Sequence, residues 1–444
     1  MNKKILVSVL ILNWNGKEHL NECISSLIEG CGRDDVEFVV VDNSSSDGSV
    51  EFVRDRFSFD ERVKVLSLDK NYGWSGGNNR GIKKSIEQGS KYIFLLNNDT
   101  KVEKGCIEKL IEFSETYPEA GAVAPKILLY DQPFLINSIG LECSIIGSAW
   151  DRGIGRVDTP RWNKIEEVAG VCGAGMWLKS DALKIIGLLP EEFEIYLDDL
   201  DLCLRMWMNG FKVLTCPEAV VHHKFSMTWK TSVEREKRKY YLNTRNRFWL
   251  IERNFPKKEL LKILMYILFG EAKAIGNSIK KLELWRVKAH IKSWAEALRY
   301  LHKIRRETMW DNAENINTEA FWKLVRTSPL FCPTVELPVN GWYKNDLVVD
   351  ISAYPISKFA WIEYSGKNLN ITVYNLKPQV GEVDLQIKLS SGENYKITTK
   401  DKEVIRISNL SPPTRIEFEA NNLFEAEMIG KNYDIGGWVK IESE

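Results

Sequence analysis

From Lys4 to about Lys230, short apolar runs alternate with stretches of helical periodicity. Ile5–Leu12, Val36–Val41, Val63–Leu66 and Tyr92–Leu96 read as strands, with further strands near Ala122–Leu129 and Gly173–Lys179. Glu18–Ile28, Ser49–Arg56, Gly77–Gln88 and Cys106–Thr116 read as helices between or after them. Alternation of this kind predicts a mostly parallel sheet covered by helices. From Ser232 to about Arg326 the pattern is helical throughout. Pro256 opens a helix whose apolar positions Leu260, Leu261, Leu264, Ile267 and Leu268 share one face. After Phe331 the period changes to two. Leu369/Ile371/Val373, Val383/Leu385/Ile387/Leu389, Ile405/Ile407 and Ile416/Phe418 alternate with polar residues, and Ser391-Gly392 and Pro412-Pro413 mark turns. An all-β sandwich beyond a linker at Pro333 and Pro338 is predicted. The expected domains are therefore 1–231 (α/β), 232–330 (helical and basic) and 331–444 (β-sandwich).

A chain of 444 residues is too long for one ordinary domain. Its 44% hydrophobic and 27% charged content fits a soluble globular protein, and no apolar run is long enough to span a bilayer. Asn13, Trp14 and Asn15 interrupt the apolar stretch at the N-terminus, so it reads as a first strand rather than a signal peptide. The eight cysteines lack metal-type spacing and read as reduced residues of a cytoplasmic protein. A formal net charge of zero hides an asymmetry. Glu234–Glu307 holds 20 Lys/Arg against 8 Glu and no Asp. This basic middle implies a local anionic partner; nucleic acid is not expected.

Candidate chemistry gathers where strands end. Tyr92–Leu96 runs into Asn97-Asn98-Asp99-Thr100, and Val36–Val41 runs into Asp42-Asn43-Ser44-Ser45-Ser46-Asp47-Gly48. In α/β sheets, ligands sit beyond the carboxyl ends of the strands. Polar groups there either hold a hard cation or ribose, or simply form turns. Asp42 is placed to accept from the imide N–H of uracil or thymine, or to cap a helix. Asn71–Gly81 is a glycine-rich loop opening a helix, without phosphate-loop or dinucleotide spacing. Asp198, Asp199 and Asp201 crowd the start of a helix. Packed carboxylates raise one another's pKa, which suits a general base, while Asp201 and Arg205 form a structural pair. His222-His223 follows a strand and offers a ligand for a divalent ion.

Together these stretches resemble the family 2 glycosyltransferases of GT-A fold, most closely the bacterial rhamnosyltransferase-type members that build surface polysaccharides. The matching pieces are Val7–Asn15, Asp42–Gly48, Asn71–Gly81, Leu95–Thr100, Gly173–Leu178, Tyr196–Arg205 and Ala219–Thr228, in the family's order. The resemblance implies a Rossmann-like catalytic domain, a dTDP- or UDP-sugar donor and an inverting transfer. It places Asn13, Asp42, Asn71, Gly76, Asn79, Asn97, Asn98 and Asp99 at the donor, and Asp99 and His223 on Mg²⁺ or Mn²⁺. It makes Asp199 the catalytic base and puts Trp177 and Asp198 in the sugar pocket. Asn97 replaces the first acid of the Asp-x-Asp motif, and Asp198 replaces the usual Glu before Asp199.

A glycan or lipid-linked acceptor follows from the same resemblance. The basic helical region suits the inner face of an anionic membrane, or alternatively packs on the catalytic domain. The β domain carries Trp342, Tyr343, Trp361, Tyr364 and Trp438, which serve sugar stacking, scaffolding or oligomerisation. Two other readings compete: a non-catalytic carbohydrate-binding or assembly protein that kept the fold, and a nucleotidyltransferase, which would use the same metal but release pyrophosphate. Val7–Gly16 lacks the basic, glycine-rich signature of the latter.

Overall fold

The computed structural model describes residues 4–133, 135–156, 158, 160–224, 233–255, 257–280, 282–305 and 325. It also describes 354–356, 359–364, 369–374, 383–399, 402–407, 414–420, 424–428, 431–435 and 437–443. The chain divides into two compact units, Met1–Gly153 with Thr159–Cys332, and Ile154–Asp158 with Pro333–Glu444.

The first unit begins with β1 (Val7–Asn13), α1 (Lys17–Gly30), β2 (Val36–Asp42), α2 (Ser49–Arg56), β3 (Val63–Ser67), α3 (Gly73–Glu87) and β4 (Tyr92–Asn97). It continues with β5 (Thr100–Val102), α4 (Cys106–Thr116), β6 (Ala120–Leu129), β7 (Ile136–Ser138), β8 (Leu141–Cys143) and β9 (Ala149–Asp151). Then come β10 (Gly175–Lys179), α5 (Ser180–Ile186), α6 (Asp198–Met208), β11 (Lys212–His223), α7 (Val233–Asn254), α8 (Lys257–Lys280) and α9 (Leu284–Arg305). One sheet runs β3-β2-β1-β4-β10-β6-β11-β5, with β7 on β6. Strands β3, β2, β1 and β4 are mutually parallel, while β10 runs antiparallel to both β4 and β6. Strand β2 is buried along its whole length, as continuous apolar runs require when helices cover both faces.

The glycine-rich stretch differs from its sequence reading. Gly73–Gly81 is not a loop but the first turns of α3. A Cβ on Gly77 would lie 2.5 Å from Leu12 Cδ1, and one on Gly81 would lie 2.8 Å from Leu10 Cδ1 and 2.9 Å from Val41 Cγ2. These glycines let the helix lie directly on β1 and β2, so their helical spacing is a packing device.

Helix α7 does not stand apart from the α/β core. Trp249, Leu250 and Ile251, with Phe255, Ile263, Ile267 and Ala297, belong to the same buried cluster as Leu10, Val41, Leu95 and Leu204. Pro256 lies outside the described residues, as do the side chains of Leu260 and Leu261. All seven described cysteines are free thiols.

The described elements of the second unit beyond Pro333 are all β. One antiparallel sheet joins Tyr354–Ile356, Gly437–Ser443, Leu369–Tyr374 and Lys402–Ile407. The other joins Phe359–Tyr364, Thr414–Ala420, Val383–Leu389 and Asn394–Thr399. Leu385, Ile387 and Leu389 are buried while Lys388 is exposed, as the period-two pattern requires. Pro333, Pro338, Trp342, Tyr343, Pro412 and Pro413 lie outside the described residues, and so do the side chains of Trp361, Tyr364 and Trp438.

Candidate functional site

Parallel pairing brings three strand ends side by side. Asn13 sits opposite Asp42, and Leu12 opposite Asn97. Their polar side chains interlock. Asn13 Nδ2 donates to Asp42 Oδ1 at 3.1 Å, and Asn98 Nδ2 donates to Asn13 Oδ1 at 2.7 Å. The Ser45 N–H donates to Asp42 Oδ2 at 2.9 Å. Each Asp42 oxygen thus takes one protein donor and keeps capacity for a second. Asp47 accepts from the backbone N–H groups of Lys17 and Ser49 and so closes the loop after β2.

Beyond β4, Asp99 faces His223 at the end of β11, with Oδ1 3.3 Å from Nε2. Burial alone would raise the Asp99 carboxyl; the His223 and His19 imidazoles outweigh it and hold Asp99 below the usual carboxylate range. His223 Nδ1 lies 2.7 Å from Asn137 Oδ1, which fixes the Nδ1–H tautomer and aims Nε2 at Asp99. An imidazole anchored through one nitrogen so that the other faces a carboxylate is a typical metal-ligand arrangement. Among the described residues no third His, Cys, Asp or Glu completes a cluster. The pair therefore fits a hard cation that takes its remaining oxygens from substrate phosphates and water. Asp151, which the sequence did not single out, lies nearby. Burial raises it against hydrogen bonds from Ser138 and Cys172 and the charge of His223, and its own charge raises Asp199.

Trp74 joins this half of the site to α6. Its Nε1 donates to Asn97 Oδ1 at 3.2 Å. Its ring lies so close to Gly173 that a Cβ there would be 2.6 Å from Cζ2. The Gly173 N–H in turn donates to Asp199 Oδ2 at 3.1 Å, while Leu200 N–H donates to Oδ1 at 2.8 Å. Asp198 accepts from Ser75 Oγ at 2.5 Å. Burial raises both carboxyls, and each is opposed by N–H donors at the helix start. Asp199 feels the Asp198 charge besides and is the higher of the two. A raised acid favours the folded state while protonated, so the pair's contribution is present at low pH and is lost as pH rises through this elevated range.

The loop leading into the pair is strained. Glu194, Tyr196 and Leu197 have φ of 65°, 72° and 64°, a region that costs a non-glycine residue about 1–2 kcal/mol. Helix α7 holds it. Asn246, fully buried, donates through Nδ2 to the carbonyls of Phe193, Ile195 and Tyr196 at 3.0, 3.0 and 2.9 Å. Arg245 donates to the Glu192 and Phe193 carbonyls and pairs with Glu194. Asp201, one turn into α6, is clamped by Arg205, Arg253 and Asn254.

Several expected site residues have other work. Trp177 does not line a sugar pocket: it is fully buried, stacked on Tyr92 at 5.2 Å, and its Nε1 donates to Ser114. Its strand is covered on both faces, so an aromatic there packs inward. Asn79 bonds the backbone of Leu189 in both directions. Asn71 Oδ1 takes up donors from Asn43 and Gly73 within its own turn. Gly76 packs beneath Tyr72. Asp198 is buried against Ser75, beside Asp199. Asn13, Asp42, Asn97, Asn98, Asp99, Asp199 and His223 do gather at the strand ends and α6. Trp74, Ser75, Asn137, Asp151, Arg245 and Asn246 were missed. Only Arg245 and Asn246 carried a sequence signal, as polar residues in the apolar phase of a helix defined by Leu242, Trp249 and Leu250.

Two family models match the chain: Glycosyl transferase family 2 over residues 8–150 and Glycosyl transferase family group 2 over residues 92–299. A Haloferax volcanii protein named low-salt glycan biosynthesis hexosyltransferase Agl10 is 26% identical over 56% of this chain and 77% of its own. The N-acetylglucosaminyl-diphospho-decaprenol L-rhamnosyltransferase of Mycobacterium tuberculosis is 24% identical over 50% of this chain and 78% of its own. The dTDP-rhamnosyl transferase RfbF of Shigella flexneri is 22% identical over 67% of this chain and 97% of its own.

Two outcomes test the site's construction. Asn246→Ala leaves three loop carbonyls without their donor, so amide hydrogen exchange across 194–200 is expected to accelerate at least tenfold while the β1–β4 core keeps its protection. Unchanged exchange would show that the loop holds itself. Asp198→Asn removes the like charge beside Asp199. The Asp199 midpoint, followed by ¹³C NMR, should then fall by roughly one unit or more toward the ordinary carboxylate range; no movement would contradict the coupling.

Proposed function

We propose that this chain, which matches Glycosyl transferase family 2 over residues 8–150 and Glycosyl transferase family group 2 over residues 92–299, catalyses a metal-assisted, inverting transfer of a sugar, rhamnose first among candidates, from a nucleoside diphosphate to a glycan or lipid-linked acceptor. One observation carries the reading. Asp199 is the more strongly raised of two adjacent buried carboxyls, oriented by two backbone N–H groups and linked through Gly173 and Trp74 to the strand-end cluster.

The chemistry follows from that placement. The acceptor hydroxyl oxygen forms a bond to the anomeric carbon as the bond from that carbon to the diphosphate oxygen breaks. Asp199 takes the hydroxyl proton, and a carboxyl raised by burial holds that proton more strongly than an ordinary carboxylate does. Asp42, with Asn13 holding it, accepts from the imide edge of the base. Asp99 and His223 would hold a Mg²⁺ or Mn²⁺ ion, which when bound neutralises charge on the departing diphosphate. With only one acid in Asn97-Asn98-Asp99, that ion depends on Asp99, His223 and the donor phosphates. The relatives named as rhamnosyltransferases support a dTDP-rhamnose donor, and the decaprenol in one name supports a polyprenyl-linked acceptor.

The test is a panel of nucleotide sugars, dTDP-rhamnose and UDP-hexoses included, scored for nucleoside diphosphate release with and without chelator. Release should be donor-selective, should stop with EDTA and should return with Mg²⁺ or Mn²⁺. Asp199→Asn should lower kcat by about 10²–10⁴ without loss of the folded state by circular dichroism. Wild-type turnover in that variant would remove Asp199 from the reaction, and pyrophosphate as product would point to nucleotidyl transfer instead.

A further inference from the structure

The hairpin of α8 and α9 is built inside out. Of fifteen large hydrophobic side chains exposed among the described residues, ten lie on it or its turn, so the exposure is concentrated there. Phe269 is 73% exposed, Met265 64% and Leu282 84%. On α8, Leu264, Met265, Leu268, Phe269 and Ala272 follow each other at helical spacing; on α9, Ile291, Ala295 and Leu298 do the same. The inward faces are satisfied already: Ile263, Ile267 and Ala297 sit in the core.

The charges on the same hairpin sort by sign. Lys273, Lys280, Lys288, Lys292 and Arg299 are exposed. The described acids turn inward: Glu271 is buried against His290, Trp294 and Arg247, Glu283 pairs with Arg286, and Glu296 pairs with Arg245. Outward, the hairpin therefore shows apolar side chains and cations, with no exposed acid among the described residues.

We propose that this face docks on an anionic lipid surface, with Leu264, Met265, Leu268 and Phe269 entering the headgroup boundary and the flanking cations meeting lipid phosphates. Apolar side chains flanked by Lys and Arg are the composition of an interfacial helix. No described helix is long and apolar enough to cross a membrane, so the hairpin lies on the surface rather than spanning it. A second copy of the chain is the poorer occupant. A two-fold contact would oppose one set of cations to another, with no exposed acid to relieve them. The inference goes beyond the sugar-transfer reading and needs no donor or acceptor to be true.

The experiment is co-sedimentation of the full chain with vesicles of phosphatidylcholine alone and of phosphatidylcholine mixed with phosphatidylglycerol, at low and high salt. Binding should be at least tenfold stronger to the anionic vesicles and should weaken with salt. Met265→Glu/Phe269→Glu should lower it tenfold or more. Lys273→Gln/Lys288→Gln, at exposed positions, should lower it roughly tenfold and flatten the salt dependence. Both variants should keep the wild-type melting temperature. Equal binding to neutral and anionic vesicles, or unchanged binding by either variant, overturns the proposal. So does a dimer that Met265→Glu/Phe269→Glu splits without affecting vesicle binding, because a second copy then covers the face.

Discussion

Asp201 is a carboxylate with no exposure to water, and the arrangement of the site follows from what its burial demands. A charge so placed must be paired; removing one partner of a buried pair costs about 3–5 kcal/mol. Its partners come from two directions: Arg205 from its own helix at 2.9 Å, and Arg253 and Asn254 from the end of α7 at 3.0 and 2.7 Å. Arg205 also donates to the carbonyls of Ile186 and Leu188. Helix α6, helix α7 and the segment after α5 therefore assemble together. The helix that sequence pattern alone assigns to a separate region is thereby a structural part of the site.

This clamp lets the protein keep what folding disfavours. Three left-handed non-glycine residues and two adjacent buried carboxyls sit within six residues of one another. Each is unfavourable alone, and neighbours that over-determine the geometry hold them in place. Asn246 serves three carbonyls with one amide group, while Ser75, Gly173 and Leu200 supply the donors to Asp198 and Asp199. The opposite half of the site is cheaper to build. Asn13 and Asp42 are placed by strand register, Asn98 just past β4 bonds Asn13, and Asp99 and His223 meet because β5 and β11 pair antiparallel.

What could be read from the sequence was local. Val36–Val41 and Tyr92–Leu96 announce themselves as buried strands, and the polar residues that follow them must lie at their carboxyl ends. The periods of two and 3.6 separated the three regions. Contacts across the fold were not legible. Trp177 gives no sign in sequence that β10 is covered on both faces, and Asn79 none that it bonds Leu189. The glycines between Gly73 and Gly81 looked like a loop because loops and close helix–strand packing use the same residue. Asn246 shows how a better reading could have gone: a polar residue in the inward phase of a helix must be bonded to something.

The division of labour in the first unit is then simple. Strand ends gather Asn13, Asp42 and Asn97, α6 carries the raised Asp199 after a strained loop, and α7 to α9 brace it while showing an apolar, cationic face outward. A single carboxylate base implies one displacement and no covalent sugar–enzyme intermediate. The most direct measurement is ¹H NMR of the anomeric centre in the product's first turnovers, compared with the donor. Inversion of configuration is expected. Retention would require a nucleophile on the other face of the sugar and would contradict Asp199 as the lone base.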